Sequence, residues 1–300
     1  MNGFLVIDKP EGITSFDVVA RVRRAVISHM GKPASGAKKL RVGHLGTLDP
    51  LATGVLVVAV GDATKLIEYL MGADKVYEAQ IELGKTSDTY DKEGSITVVQ
   101  SDPEISREAL ESGLLSFVGE IDQVPPAYSA IKVDGRRAYD RARKGEDVQL
   151  KSRKVMVHSI KVRGFQSPFV ALEIHCGSGT YIRSIAHDLG QKLGTGGLMT
   201  ALQRLRVGSF TLNQALPLSE EAQPDYSSHM IPLETVVAGW PTIVLVDEQV
   251  EKLQSGQSIF CPPGFGVSDL SLPIVGLYKG KLVSLLKEEG RFLRVVKNFL

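Results

Sequence analysis

The chain has 300 residues, 43% of them apolar and 23% charged, with 35 Lys and Arg against 34 Asp and Glu and a net charge of +1. This ordinary globular composition excludes a disordered polymer. The near-neutral balance excludes a global field drawing the molecule to nucleic acid, so any such attraction must come from local clusters.

Phe4–Asp8 (FLVID) is a short β-rich run stopped by Lys9-Pro10. Thr14-Ser15 can cap a helix over Phe16–Ile27, whose apolar residues have helical spacing. Gly31–Lys39 is rich in Gly, Ser and Lys and is expected as a loop. Leu56–Val60 is expected as a buried strand, Ala63–Met71 as a helix and the alternating Val76–Leu83 as a strand. Thr86–Gly94 is a turn-rich connector, and Ser106 caps a helix running to Phe117. Val155–Val162 and Phe169–Cys176 are expected strands, followed by a Gly177-Ser178-Gly179 turn and a helix over Tyr181–Leu193. A short helix is expected over Leu198–Leu205.

From Leu216 to Pro241 the character changes, with Pro217, Pro224, Pro232 and Pro241 set among Glu220, Glu221 and Asp225. Four short β-like runs follow (Ile243–Val246, Ile274–Tyr278, Leu282–Leu286, Phe292–Val296), separated by Gly and Pro. Together these elements predict an α+β fold with a mixed, largely antiparallel sheet flanked by helices, and a small C-terminal β-barrel. The division expected is 1–238 and 239–300. The two cysteines, Cys176 and Cys261, form no disulfide framework or CxxC knuckle. The N-terminal MNGFLVIDKP lacks the pattern of a secretion signal, and the longest apolar runs are strand-sized. A cytoplasmic protein without a membrane association is expected.

Chemistry concentrates in Gly43–Val60, GHLGTLDPLATGVLVVAV, which sets one carboxylate, Asp49, beside a proline just before a buried element. Asp before Pro is a common turn residue that bonds its own backbone. The functional reading needs a cation that keeps the carboxylate charged and nucleophilic. Arg183 is the best candidate. It follows the glycine turn at the start of a helix, where a cation opposes the macrodipole and therefore calls for a partner. Its planar fork can grip a carboxylate through two bonds. Tyr77 on its alternating strand is either a core tyrosine or a ring that stacks on a base while its hydroxyl moves protons. His44 could be a metal ligand, a base or a hydrogen-bonded core residue. The histidines (29, 44, 158, 175, 187, 229) are scattered without ligand spacing and HExxH is absent, so no metal is expected.

Basic residues cluster locally. Lys132–Lys154 holds nine Lys and Arg against four acids, with Tyr128 and Tyr139 in or beside it; Gly31–Arg41 and residues 279–297 carry further clusters. Three such patches on a near-neutral chain suit a phosphate-tracking surface. Ala79–Thr86, AQIELGKT, fits a relaxed P-loop pattern, but its strand-like QIEL has no glycine and cannot form a phosphate nest. Cys176–Thr180, CGSGT, is neither GxSxG nor a complete GxGxxG.

Four blocks resemble the TruB family of pseudouridine synthases: KPEGITS at 9–15, GHLGTLDPLATGVL at 43–56, QVPPAYSAIKVDGRRAYDRAR at 123–143, and GTYIRSIAHDL at 179–189 followed by LQRL at 202–205. The resemblance runs from about residue 3 to 210, and the tail after Pro241 is similar to a PUA-type RNA-binding domain. It implies the pseudouridine-synthase fold and isomerisation of uridine to pseudouridine at position 55 in the T-arm of tRNA, without cofactor or catalytic metal. By motif position Asp49 would be the nucleophile, Arg183 its partner, and Tyr77 a ring stacked on the target base that takes part in proton transfer. His44 would fill the space left by the flipped nucleotide, and Tyr181 and Leu202 would line the uracil pocket. Lys9 and Lys65 would support the site or touch RNA. The partner implied is tRNA, contacted by a segment at about 123–154, whose basic Lys132–Lys154 stretch is expected to be a mobile flap; a stand-alone monomer with no required protein partner is expected. A non-catalytic tRNA-folding chaperone is the alternative. Leu45 and Gln203 depart from the family pattern, which usually has a small polar residue at the first place and a second arginine at the other.

Overall fold

The computed structural model describes every residue except 31–38, 130, 134, 143, 147–149, 219–224, 263–264, 266–271 and 300. Much of the expected Gly31–Lys39 loop, part of the basic 123–154 segment, and Glu220, Glu221 and Pro224 therefore lie outside the described residues.

One ten-stranded sheet organises the first part of the chain. Its path runs Leu216–Pro217, Gly3–Lys9, Thr53–Val60, Gly197–Val207, Lys75–Leu83, Phe169–Cys176, Arg153–Gln166, Gly119–Gln123. Val42–His44 and Phe210–Thr211 pair at its side. Most ladders are antiparallel, but Gly197–Val207 runs parallel to Thr53–Val60, so the sheet is mixed as expected.

Burial differs between the sheet's halves. On Gly3–Lys9 and Thr53–Val60, Leu5, Ile7, Leu56 and Val58 enter one apolar cluster, while Phe4, Val6, Val55 and Val57 enter another. Apolar layers cover both faces, which is why GVLVVAV has no polar alternation. On Lys75–Leu83, Tyr77, Ala79, Ile81 and Leu83 are buried, while Glu78 on the opposite face is exposed. The helices Ser15–Met30, Arg107–Leu115 and Ile182–Leu193 contribute to the first cluster through Val18, Val22, Leu110, Leu114, Ile185 and Leu189. Ser106 Oγ accepts from Ala109 N, as its capping role predicts.

A five-stranded sheet forms the C-terminal unit, in the order Thr242–Val244, Ile274–Tyr278, Lys281–Glu289, Phe292–Asn298, Ile259–Phe260. It has its own core, with Ile243, Leu253, Val283, Leu286 and Leu293. Val275, Leu282 and Leu285 join the cluster beneath Phe4 and Val57.

The helix expected at Leu198–Leu205 is instead the central strand Gly197–Val207. LMTALQRL is rich in helix formers, but pairing on both sides overrides that preference. Register shifts between Met199 and Ala201, and between Arg204 and Arg206, break the period-two pattern that would have marked a strand. The expected Ala63–Met71 helix begins as a tight 3-10 segment, Gly61–Leu66, and becomes α-helical only over Ile67–Leu70. The Thr86–Gly94 connector includes part of a short strand, Lys85–Ser87, paired with Ile96–Val98. The helix Asp247–Gln254 has no counterpart in the expectations.

Candidate active site

Asp49 sits in a turn before Thr53–Val60, and its position is fixed mainly by backbone contacts. Ser15 Oγ donates to Leu48 O (2.9 Å) and accepts from Leu48 N (2.8 Å). Gly12 N donates to Pro50 O. Lys9, fully buried, gives its ammonium to Pro50 O (3.1 Å), Pro10 O (2.8 Å) and Ile13 O (2.7 Å). The KPEGITS segment thus braces the Asp49 turn. Burial lowers the Lys9 pKa to about 8, although the nearby Asp49, Glu93 and Glu11 carboxylates pull it upward.

Arg204 braces the turn from the other side. It is 1% exposed, with Nε on Val55 O (2.8 Å), Nη2 on Gly46 O (3.0 Å) and Nη1 on Thr47 O (3.5 Å). Gly54, at φ +94, lies so close to the Arg204 backbone that a Cβ there would strike its carbonyl oxygen. Leu45 is also buried, packed in the cluster of Phe4 and Val57. The turn therefore uses an apolar anchor where a small polar residue was the pattern.

Arg183 is the second residue of Ile182–Leu193 and is 5% exposed. Its Nε lies 3.0 Å from Asp49 Oδ2, and its Nη1 lies 3.4 Å from Asp91 Oδ2. Nη1 also donates to Thr89 O and Nη2 to Tyr128 O, both at 3.0 Å. The Nε–H is not aligned for a hydrogen bond to Asp49, so the contact is chiefly Coulombic. The partner that a cation in a first helical turn requires is thus two carboxylates. Asp49 keeps an exposed edge, 37% of its side chain, while Asp91 is buried. Asp91 Oδ1 accepts from Thr89 Oγ1 (2.6 Å) and Glu93 N (3.0 Å). Burial, then the charges of Asp91 and Asp49, raise the Glu93 pKa.

Tyr77 is buried and pairs in register with Arg204 on one side and Ile174 on the other. Burial raises its phenol pKa, against the opposing charge and hydrogen bond of Arg204. The ring is therefore neutral and a hydrogen-bond donor at ordinary pH. Leu202 lies one register step away, opposite Ala79. Tyr181 caps the Arg183 helix. Its backbone N and O are both held by the buried Gln123 amide (2.7 and 2.9 Å), and Arg153 lies over its ring at 4.9 Å. His44 is half-buried, its pKa lowered by burial and then by the charge of Arg204, and its Nδ1 makes no hydrogen bond.

Asp49 and Arg183 are therefore in direct contact, and charge interactions reach from Asp49 to Tyr77 and Lys9. Lys65 falls elsewhere. Its ammonium meets Asp62 Oδ1 at 2.7 Å, donates to Asn298 O and lies 5.0 Å from the Phe299 ring centre, so it ties the 3-10 segment to the last strand. Asp91 and the clamping role of Arg204 were missed. Asp91 was hidden in a polar connector, and Arg204 sat in a segment read as a helix. A carboxylate set against a buried guanidinium with one face open suits nucleophilic or base chemistry on a substrate that supplies its own leaving group.

The family model for the N-terminal domain of TruB family pseudouridylate synthases matches residues 33–182, and that for the C-terminal domain of tRNA pseudouridylate synthase B matches 183–238. The chain is 44% identical over 306 residues to tRNA pseudouridine synthase B of Thermobifida fusca, covering 99% of this chain and 94% of that protein. The same-named protein of Clostridium kluyveri is 42% identical over 259 residues, covering 86% of each. Among solved structures, a chain of a Cbf5-Nop10-Gar1 complex superposes with a TM-score of 0.71 at 25% identity, covering 99% of this chain and 85% of that one.

Proposed function

This chain belongs to the TruB family of pseudouridylate synthases and isomerises uridine to pseudouridine in tRNA; from that premise we propose that its target is position 55 in the T-arm and that Asp49 carries the reaction. The observation that carries this reading is the 3.0 Å contact between Arg183 and the exposed edge of Asp49, inside an otherwise buried wall.

The isomerisation breaks the N1–C1′ bond and forms a C5–C1′ bond. N1 gains a proton and C5 loses one, so no oxidant, reductant or water is consumed. A base stacked in a folded T-loop is out of reach and must be flipped out. Asp49 then either attacks C1′ or removes a sugar proton, while Arg183, 3.0 Å away, aims it. Tyr77 and Leu202 face the detached uracil so that it can turn without escaping, and the Tyr77 hydroxyl donates to it. Tyr181 completes the wall, and His44, a neutral ring beside the turn, occupies the gap in the loop. Lys9 and Arg204 position the turn and do not touch the reacting atoms.

Residues 1–238 form the catalytic part and 239–300 a PUA-like RNA-binding part. The basic 123–154 segment tracks the T-arm backbone. The enzyme works as a monomer in the cytoplasm without a protein partner. Among the described residues no helix is long and apolar enough to cross a membrane. The comparisons give the non-catalytic chaperone reading no support over this one.

The test is site mapping on a T-arm stem-loop whose uridines are replaced one at a time by cytidine. Chemical detection of pseudouridine is expected to fail only when position 55 is changed. Product at another uridine would overturn the assignment of position.

A further inference from the structure

We propose that Asp74, His158 and His175 form a binding site for a divalent transition metal, with zinc the best-matched ion. These residues come from three chain segments and converge on the sheet face opposite the one that carries Tyr77. His175 alternates with Ile174 and Cys176, which are buried in the helix-side core, so its ring emerges on the other face. It pairs in register with Val76 and with Ser159, which brings His158 beside it, and Asp74 precedes Lys75–Leu83 at the same end.

The spacing fits one ion. His158 Nε2 is 3.2 Å from Asp74 Oδ1, and His175 Nε2 is 3.6 Å from Asp74 Oδ2. One ligand atom from each residue lies within 4.8 Å of the others. A tetrahedral zinc with ligands at about 2.0–2.1 Å sets its ligand atoms about 3.4 Å apart. The imidazole rings are 4.5 Å apart and tilted by 44°, so both Nε2 atoms reach the same carboxylate. Two imidazoles and a carboxylate are a nitrogen–oxygen donor set that suits zinc, copper or nickel over magnesium. The side chains are 32–44% exposed, which leaves the remaining coordination position open to solvent. The histidines are seventeen positions apart in sequence, so the register of the hairpin, and not a linear spacing motif, assembles the site.

Arg206, on Gly197–Val207, donates from Nη2 to His175 Nε2 at 3.3 Å and from Nη1 to Gly208 O. That contact makes Nε2 the unprotonated nitrogen, the state a metal requires, but it also puts a competing cation on the lone pair. Lys75 is turned away, its ammonium on Met71 O and Ala73 O. Metal binding therefore displaces Arg206 from His175 and puts the ion between His158 Nε2 and the Asp74 carboxylate. The bound ion cross-links the ends of three neighbouring segments behind the Tyr77 strand. The site is a structural clip on the sheet face opposite Tyr77, and does not depend on how the Asp49 side is read.

The test is titration of chelator-treated full-length protein with Co2+, read by visible absorption, and with Zn2+, read by thermal melting. The expected result is one Co2+ per chain with the spectrum of a low-coordinate nitrogen–oxygen site, and a melting temperature that rises with Zn2+ concentration. His158→Gln and His175→Gln lose the spectrum and the Zn2+-dependent rise; circular dichroism checks that they fold. Arg206→Gln binds about tenfold more tightly, because a like charge beside the ion is gone. Absent binding in wild type, undiminished binding in both histidine variants, or weaker binding in Arg206→Gln would each overturn the proposal.

Discussion

The Asp49 turn and the C-terminal sheet hold together in opposite ways. Around the turn, Lys9, Arg183, Arg204 and Asp91 are all buried, and each is partnered by backbone carbonyls, a carboxylate or donors of the chain. In the C-terminal unit, Ser284 is the only buried polar side chain among the described residues. Its stability comes from Ile243, Leu253, Val283, Leu286 and Leu293, with ion pairs such as Lys252–Glu248 left at the surface. Burying a charge is costly unless it is fully partnered, so apolar packing is the cheaper route to cohesion. The turn accepts that cost because it must fix one carboxylate to within a fraction of an ångström, which directional bonds achieve and apolar contacts do not.

Four substitutions press on this contrast. Arg204→Met keeps the volume but leaves the carbonyls of Val55, Gly46 and Thr47 without their donor. It is expected to cost about 3 kcal/mol of stability by urea unfolding and to abolish most activity. A stable, active Arg204→Met protein would break the contrast. Arg183→Lys retains a charge but cannot span Asp49, Asp91, Thr89 O and Tyr128 O together. Turnover is expected to fall about 100-fold, with less change in KM, in single-turnover tritium release.

Leu286→Ala removes a fully buried side chain from the C-terminal core. About 2–5 kcal/mol of stability is expected to go, while the chemical step at saturating tRNA is unchanged. The last effect concerns pH. Burial holds the Lys9 pKa near 8, below the ordinary 10.5. Between those values the unfolded chain binds the proton that the folded one has released, so unfolding free energy rises with pH. The urea-midpoint difference between wild type and Lys9→Met should therefore shift in favour of wild type from pH 8 to 10.5 and stay flat below pH 7.

How much of this was legible in the sequence follows from the same contrast. The apolar strands and the capped helices announced themselves through period and punctuation, since burial of one face writes a pattern into the chain. Asp49 and Arg183 were legible for a different reason: a proline-locked acid and a cation in a first helical turn each lack a purpose unless they have partners. Asp91 gave no such sign, because in TSDTYDKEG one acid looks like another until the fold buries it. Arg204 was hidden by the two register shifts that disguised its strand as a helix. Long-range donors to backbone carbonyls leave no trace in spacing, and neither does a hairpin register that brings His158 to His175.

The most direct measurement compares wild type with Asp49→Asn on a T-arm stem-loop bearing tritium at uridine C5, following tritium release and RNA binding together. The account predicts that wild type releases tritium, while Asp49→Asn binds the RNA with similar affinity and releases none. Release by Asp49→Asn at the wild-type rate would mean that Arg183 aims a carboxylate the reaction does not use, and would contradict the account.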